Sequence, residues 1–232
     1  MSREIVFDTE TTGLKPFKGD RITEIGCVEV IDLLPTGKTF RRYVNPERDV
    51  PEEVVKITGL TTEFLADKPL FSEIVDDFLE FVGKSQMVAH NARFDRDFLN
   101  VEMTKLDRQP FEDKRFTDTL LIARKKFPGA YNSLDALCKR FSVSLSERAQ
   151  HGALLDAKLL AEVYLELNGG RERRLDLNPN KRKKPNTGMA ITGQAVKTEI
   201  KALTAQLSDE QRDEHLKFLK QVGEKPLWNK YL

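Results

Sequence analysis

Cysteine and long apolar runs are both scarce in this chain, and each scarcity closes off a class of protein. Only Cys27 and Cys138 carry thiols, and both sit in apolar-patterned segments. Buried free thiols are therefore expected rather than a disulfide, and a reducing compartment fits. No apolar run approaches the ~18 residues that a membrane span needs. Strand-like sequence begins within a few residues of Met1, with no room for a secretory signal, so a soluble, cytoplasmic protein is expected. An excess of one charge is missing too. The 38 Lys and Arg residues against 37 Asp and Glu leave a net charge of +1, so any polyanion must be held locally rather than by a whole-molecule field. No internal repeat is visible.

What is present suffices for a core. Apolar residues make up 39% of 232, enough for one domain of roughly 150–200 residues and a smaller appendage. Three strands are expected first, over Glu4–Thr9, about 21–31 and about 39–44, the last two joined by a turn at Leu34-Pro35-Thr36-Gly37. Helical periodicity follows. Pro51-Glu52-Glu53 opens a short helix that Gly59 stops, and a longer helix after Ser72 carries Ile74, Val75, Phe78, Leu79 and Val82 on one stripe. Short strands at 87–89 and 116–118 then alternate with helices over 94–105 and 120–126. Ser133 caps another, and a last helix spans 153–167. Strands first, then strands alternating with helices, predict an α/β fold with a mixed sheet. After Asn168-Gly169-Gly170 the composition turns to Arg, Lys, Asn and Pro. The expected division is a domain over 1–170, a flexible linker over 171–205 and an amphipathic tail over 206–232 ending near Trp228.

Carboxylates carry the chemistry. Asp8 and Glu10 close the first strand, and alternation puts them on one face. Two carboxylates at the end of a buried strand repel each other, and a divalent cation with oxygen ligands is the natural remedy. Asp95, His151 and Asp156 also fall where segments emerge from apolar sequence. The spacing of the last two is informative. Five residues at about 100° each leave them roughly 140° apart on one helix, so they converge only if His151 precedes the helix and Asp156 lies one turn inside. Taken singly, each feature also fits a plainer role. Asp8 and Glu10 could be a solvated strand end, Asn91 with Asp95 a helix cap, and Leu14 and Phe94 ordinary packing.

Three motifs in order resemble the histidine-bearing DEDD-type 3′–5′ exonucleases: Phe7-Asp8-Thr9-Glu10-Thr11-Thr12-Gly13-Leu14, His90-Asn91-Ala92-Arg93-Phe94-Asp95 and His151-Gly152-Ala153-Leu154-Leu155-Asp156-Ala157. Among these enzymes the likeness is greatest to the epsilon, or proofreading, subunits of bacterial DNA polymerase III. It extends over 3–167 and includes Thr58-Gly59-Leu60 through Asp67-Lys68-Pro69. The resemblance implies a ribonuclease-H-like mixed sheet flanked by helices, and two divalent metal ions, Mg²⁺ with Mn²⁺ able to substitute, held by Asp8, Glu10, Asp95 and Asp156. His151 is implied as the general base. Thr9, Leu14, Thr58, Asn91 and Phe94 are expected against the DNA 3′ end, single-stranded or frayed. His90 is expected to hydrogen-bond within the core.

The same resemblance implies partners for the tail. Leu216, Leu219 and Trp228 are expected to dock on the polymerase III alpha subunit, and Glu172, Leu175 and Leu177 occupy the place of a sliding-clamp motif. That stretch departs from the usual pattern, with Glu where Gln is typical and no closing Phe. Asn186 to Ile191 is a second clamp candidate, and no membrane partner is expected.

Overall fold

Alternation along the first strand sorts its side chains onto two faces, and both faces are covered. In the computed structural model, which describes residues 2–145 and 151–170 together with Asp213, Glu214 and Lys217, β1 (Arg3–Thr11) is central in a five-stranded sheet. Its neighbours are β2 (Ile22–Ile31), β3 (Leu34–Tyr43), β4 (Gln86–Ala89) and β5 (Phe116–Asp118), in the order β3-β2-β1-β4-β5. β1 and β2 are antiparallel, as are β2 and β3, whereas β4 runs parallel to both β1 and β5. The mixed sheet expected from the sequence is the one observed.

Ile5, Phe7, Ile25 and Cys27 face α3 (Phe71–Val82) and α4 (Ala92–Lys105), where Phe78 and Phe98 are fully buried. Val6, Val28, Val30 and Val88 face the other way, onto Ala157, Leu160, Ala161 and Tyr164 of α7 (Ala153–Leu167). Burial of each such side chain contributes roughly 1.5–3 kcal/mol. Two short helices, α1 (Glu52–Thr58) and α2 (Thr62–Leu65), follow β3. α5 (Thr119–Lys126) and α6 (Leu134–Phe141) pack with α7 in a satellite core. Asp118 and Ser133 cap α5 and α6 by accepting the amides of Leu120 and Ala136. Both cysteines are buried and free, and among the described residues no helix is long and apolar enough to cross a membrane.

One expectation fails. The β2–β3 turn is at Asp32-Leu33, with φ of 51° and 74°, not at Leu34–Gly37. Positive φ at both central residues is what a two-residue hairpin of matching twist requires. The Pro-Thr-Gly stretch instead lies inside β3, where Val28 pairs with Thr39 and Val30 with Pro35, leaving Thr36–Lys38 as a bulge opposite Glu29. The bulge has a use: the Thr36 hydroxyl donates to the Glu29 carboxylate at 2.8 Å, and Arg3 Nε donates to it at 2.5 Å.

The chain divides into two units, Met1–Leu177 and Asn178–Leu232. Of the second, Asp213, Glu214 and Lys217 are described, and all three are helical. The rest of the expected linker and tail, with Glu172, Leu175, Leu177, Leu216, Leu219, Trp228 and the 186–191 stretch, lies outside the described residues.

Candidate active site

The parallel strands β1, β4 and β5 end at one edge of the sheet. From β1 the chain adds strands on one side, then returns to add β4 and β5 on the other. Crevices at such reversals, beyond the carboxyl ends of strands, are where open α/β sheets take ligands.

β1 delivers three polar residues there. Asp8 and Glu10, both half-buried, lie on the α7 face with Val6, and their antiparallel partners on β2 are Gly26 and Glu24. Thr9 points to the α4 face. Its amide and hydroxyl both donate to Asp95 Oδ1, at 3.1 and 2.7 Å. Asp95 sits in the first turn of α4 and is 3% exposed. Burial pushes its carboxyl up to about 7; the Thr9 bonds oppose this, and the nearby charge of Asp118 adds to it. Asn91 carries the chain from β4 into α4 in a left-handed conformation, φ 69°, with its amide donating to Asp118 at 3.1 Å.

The third motif comes in over β2. His151 precedes α7, and its Nδ1 is 3.1 Å from Asp156 Oδ2 in the first turn of that helix. Glu10, His151 and Asp156 each offer one ligand atom, and the three atoms lie within 4.8 Å of one another. Two hydrogen bonds fix this segment. The His151 amide donates to the Ile57 carbonyl at the end of α1, and the Ala153 amide donates to Glu24 Oε2, each at 3.1 Å. Glu24 is buried, and its other oxygen accepts from Arg41 Nε at 2.6 Å. A β-carbon on Gly26 would come within 2.1 Å of Leu154 N and 2.2 Å of the Ala153 carbonyl carbon, so only glycine lets α7 start this close to the strand.

The remaining expected residues are placed as follows. The Thr58 hydroxyl donates to the Val54 carbonyl at 3.0 Å and accepts from Leu60 N at 3.2 Å, while the residue lines a cavity of about 440 Å³ with His151, Glu24, Arg41 and Leu155. Phe94 is half-buried, its ring 4.9 Å from that of Phe98. Leu14 is 78% exposed. His90 pairs with the Thr119 hydroxyl at 2.9 Å, a core contact as expected, and burial holds its pKa below the ordinary histidine value. A larger cavity, about 1040 Å³, lies beside the start of β4 among Leu79, Met103 and Phe111, at the other end of the strand from these groups. Sequence reasoning passed over Glu24, Arg41 and Gly26. Two signals were available: an acid and a glycine inside the apolar run Ile22–Ile31.

The donor set, carboxylates with one imidazole, suits a hard divalent cation. Fold and site together define a ribonuclease-H-like nuclease. The RNase_T exonuclease family matches residues 5–164. A DNA polymerase III subunit epsilon from Rickettsia felis is 47% identical over 224 residues, 95% of this chain and 96% of that protein. Among solved structures, Exonuclease X in complex with 5′ overhanging duplex DNA is 30% identical with a TM-score of 0.56, over 72% of this chain and 90% of that one. The nuclease domain of 3′hExo, a DEDDh family member bound to rAMP, shares the fold with a TM-score of 0.62 at 20% identity, over 72% and 93%. The chain belongs to the RNase_T exonuclease family, in the branch of the DNA polymerase III epsilon subunits, and is a proofreading 3′–5′ exonuclease. The family uses divalent metals.

Proposed function

We propose that the chain removes nucleotides from frayed 3′ ends of DNA as the nuclease subunit of a replicative polymerase III, using Asp8, Glu10, Asp95 and Asp156 to hold two Mg²⁺ ions, with Mn²⁺ able to substitute. The observation that carries this is the meeting of Glu10, His151 and Asp156, brought from sequence positions about 140 apart to within 4.8 Å. When bound, such ions supply charge relief on the phosphate and activation of water. The protein does the rest. Asp156 orients the imidazole through Nδ1, so the basic lone pair that takes the proton of the attacking water is on Nε2. Thr9, between Asp8 and Glu10 in the strand, holds the Asp95 carboxylate through its amide and hydroxyl. Leu14, Phe94, Asn91 and Thr58 contact the terminal nucleotide. Little base readout is needed, because a mismatched terminus melts more readily and reaches the site more often.

The division into a nuclease domain over 1–170, a linker over 171–205 and a polymerase-binding tail over 206–232 belongs to the same proposal. Leu216, Leu219 and Trp228 would anchor the alpha subunit in a helix-in-groove manner, and Glu172, Leu175 and Leu177 would touch the clamp weakly. The protein would then act in the cytoplasm with its polymerase. One experiment compares wild type, Asp8→Ala and a chain ending at residue 205. Wild type releases nucleoside 5′-monophosphates from a 3′-mismatched primer and co-purifies with the polymerase chain. Asp8→Ala keeps the second property and loses the first, and the shortened chain does the reverse. Near-normal hydrolysis by Asp8→Ala, or retention of the polymerase by the shortened chain, would refute the corresponding assignment.

A further inference from the structure

The turn that follows the acidic strand end carries an apolar pair that the core does not use. Leu14 is 78% exposed and Phe17 is 77% exposed, while Pro16 between them is buried. Such exposure on a loose loop would mean little. This loop is tied down. Asp20 Oδ2 accepts from the Lys15 amide at 2.9 Å, its Oδ1 pairs with Arg48 Nη1 at 2.9 Å, and the Lys18, Gly19 and Asp20 amides donate back to Lys15 and Pro16 carbonyls. Thr12 and Arg21 close the base of the turn through Thr12 N to Arg21 O at 2.9 Å and Arg21 N to the Thr12 hydroxyl at 3.0 Å. Arg21 is itself held by Glu102 of α4 at 2.6 Å and by Glu47 at 3.1 Å.

Those bonds account for the charges around the turn. Asp20 pairs with Arg48, and Arg21 with Glu102 and Glu47, an arrangement that leaves one negative charge on the far side of Arg21, while Lys15 and Lys18 are exposed cations without an ion pair among the described residues. The turn therefore exposes Leu14 and Phe17 on a hydrogen-bonded support, with Lys15 and Lys18 exposed beside them in the chain. Its position is bounded by the chain: Leu14 is four positions on from Glu10, a reach of at most about 14 Å, and Phe17 seven positions on, at most about 25 Å. Aromatic faces beside cations bind single-stranded nucleic acid without regard to sequence, because every base has a stacking face and every linkage a charge.

We propose that Phe17, with Leu14 on its active-site side and Lys15 and Lys18 at its flanks, is a stacking platform for unpaired bases upstream of the scissile phosphodiester. This rests on the exonuclease reading. The platform lets the enzyme hold a melted strand several nucleotides back from the cut, so a frayed end is retained and a fully paired end is not.

The test separates the platform from the chemistry. Two substrates are used: a single-stranded oligonucleotide, and a nitrophenyl ester of a nucleoside 5′-monophosphate, which has no upstream bases. Phe17→Ala raises the oligonucleotide KM about 5- to 150-fold, the range expected for loss of one stacked base, and leaves ester hydrolysis unchanged. Phe17→Trp restores the KM. Fluorescence anisotropy of a labelled oligonucleotide on the metal-free protein shows the same loss, independent of turnover. The double variant Lys15→Gln, Lys18→Gln makes the slope of log affinity against log salt shallower by about 1.4, since each single-strand contact contributes about 0.7. Unchanged oligonucleotide KM and anisotropy in Phe17→Ala, with ester hydrolysis intact, overturn the platform alone. A wild-type protein that hydrolyses neither substrate overturns the exonuclease reading instead.

Discussion

Replacing Asp95 by Asn should stabilise the metal-free protein in alkaline buffer and do much less in acid. Asp95 is almost fully buried, and burial pushes its carboxyl up to about 7 from an ordinary value of 3.8. The folded state therefore binds this proton more tightly than the unfolded chain does. Its stabilising contribution is complete below about pH 4 and is lost as pH rises through about 7, the reverse of an ion-paired carboxylate. At about 1.4 kcal/mol for each tenfold difference in proton affinity, wild type carries a penalty of about 4 kcal/mol at pH 8 and between 1 and 2 at about pH 5. Asparagine carries none, and its Oδ1 can still accept both Thr9 donors. In urea denaturation with chelator present, the advantage of Asp95→Asn over wild type should grow by about 2–3 kcal/mol between pH 5 and pH 8. Adding Mg²⁺ at pH 8 should close the gap by stabilising wild type alone. An Asp95→Asn protein destabilised by the same amount at both pH values would refute the reasoning, since the carboxyl would then be a plain hydrogen-bonding group.

Two further substitutions probe the segment that enters α7. His151→Ala should lose most of its rate at neutral pH and regain part in alkaline buffer, where hydroxide replaces the base; identical pH profiles for variant and wild type would exclude that role. Gly26→Ala would put a methyl group against the backbone of Ala153 and Leu154. It should cost about 1–3 kcal/mol in denaturation experiments and, by displacing His151 and Asp156 together, about a hundredfold in turnover. A fully active, fully stable Gly26→Ala protein would mean that α7 does not sit where it is described.

The sequence disclosed the meeting of Glu10, His151 and Asp156 better than it disclosed what supports it. Asp8, Glu10, Asp95, His151 and Asp156 stood out because an acid or an imidazole at the end of an apolar segment is a local signal. Placing His151 ahead of the helix followed from angle arithmetic alone, and the chain does turn helical only at Ala153. The hairpin was harder. Pro35 and Gly37 advertise a turn, yet the reversal is made by Asp32 and Leu33, and a leucine at positive φ carries no compositional mark. Glu24 and Arg41 were invisible as a pair because their meaning is tertiary. Glu24 caps a helix that begins 129 residues later, and no local pattern encodes that distance.

Gly26 has no functional group, yet the placing of two polar groups, His151 and Asp156, depends on it. Asp156 rides on the first turn of a helix seated against that bare α-carbon, and His151 lies two residues ahead of that helix, so a hydrogen where other residues have carbon bears on how near the imidazole and carboxylate come to Glu10. If the proposed site is the catalytic one, a bulkier residue there would leave each of its side chains in the sequence and still lower the accuracy of copying. Mutator alleles are to be sought at that glycine as much as among the side chains that touch DNA.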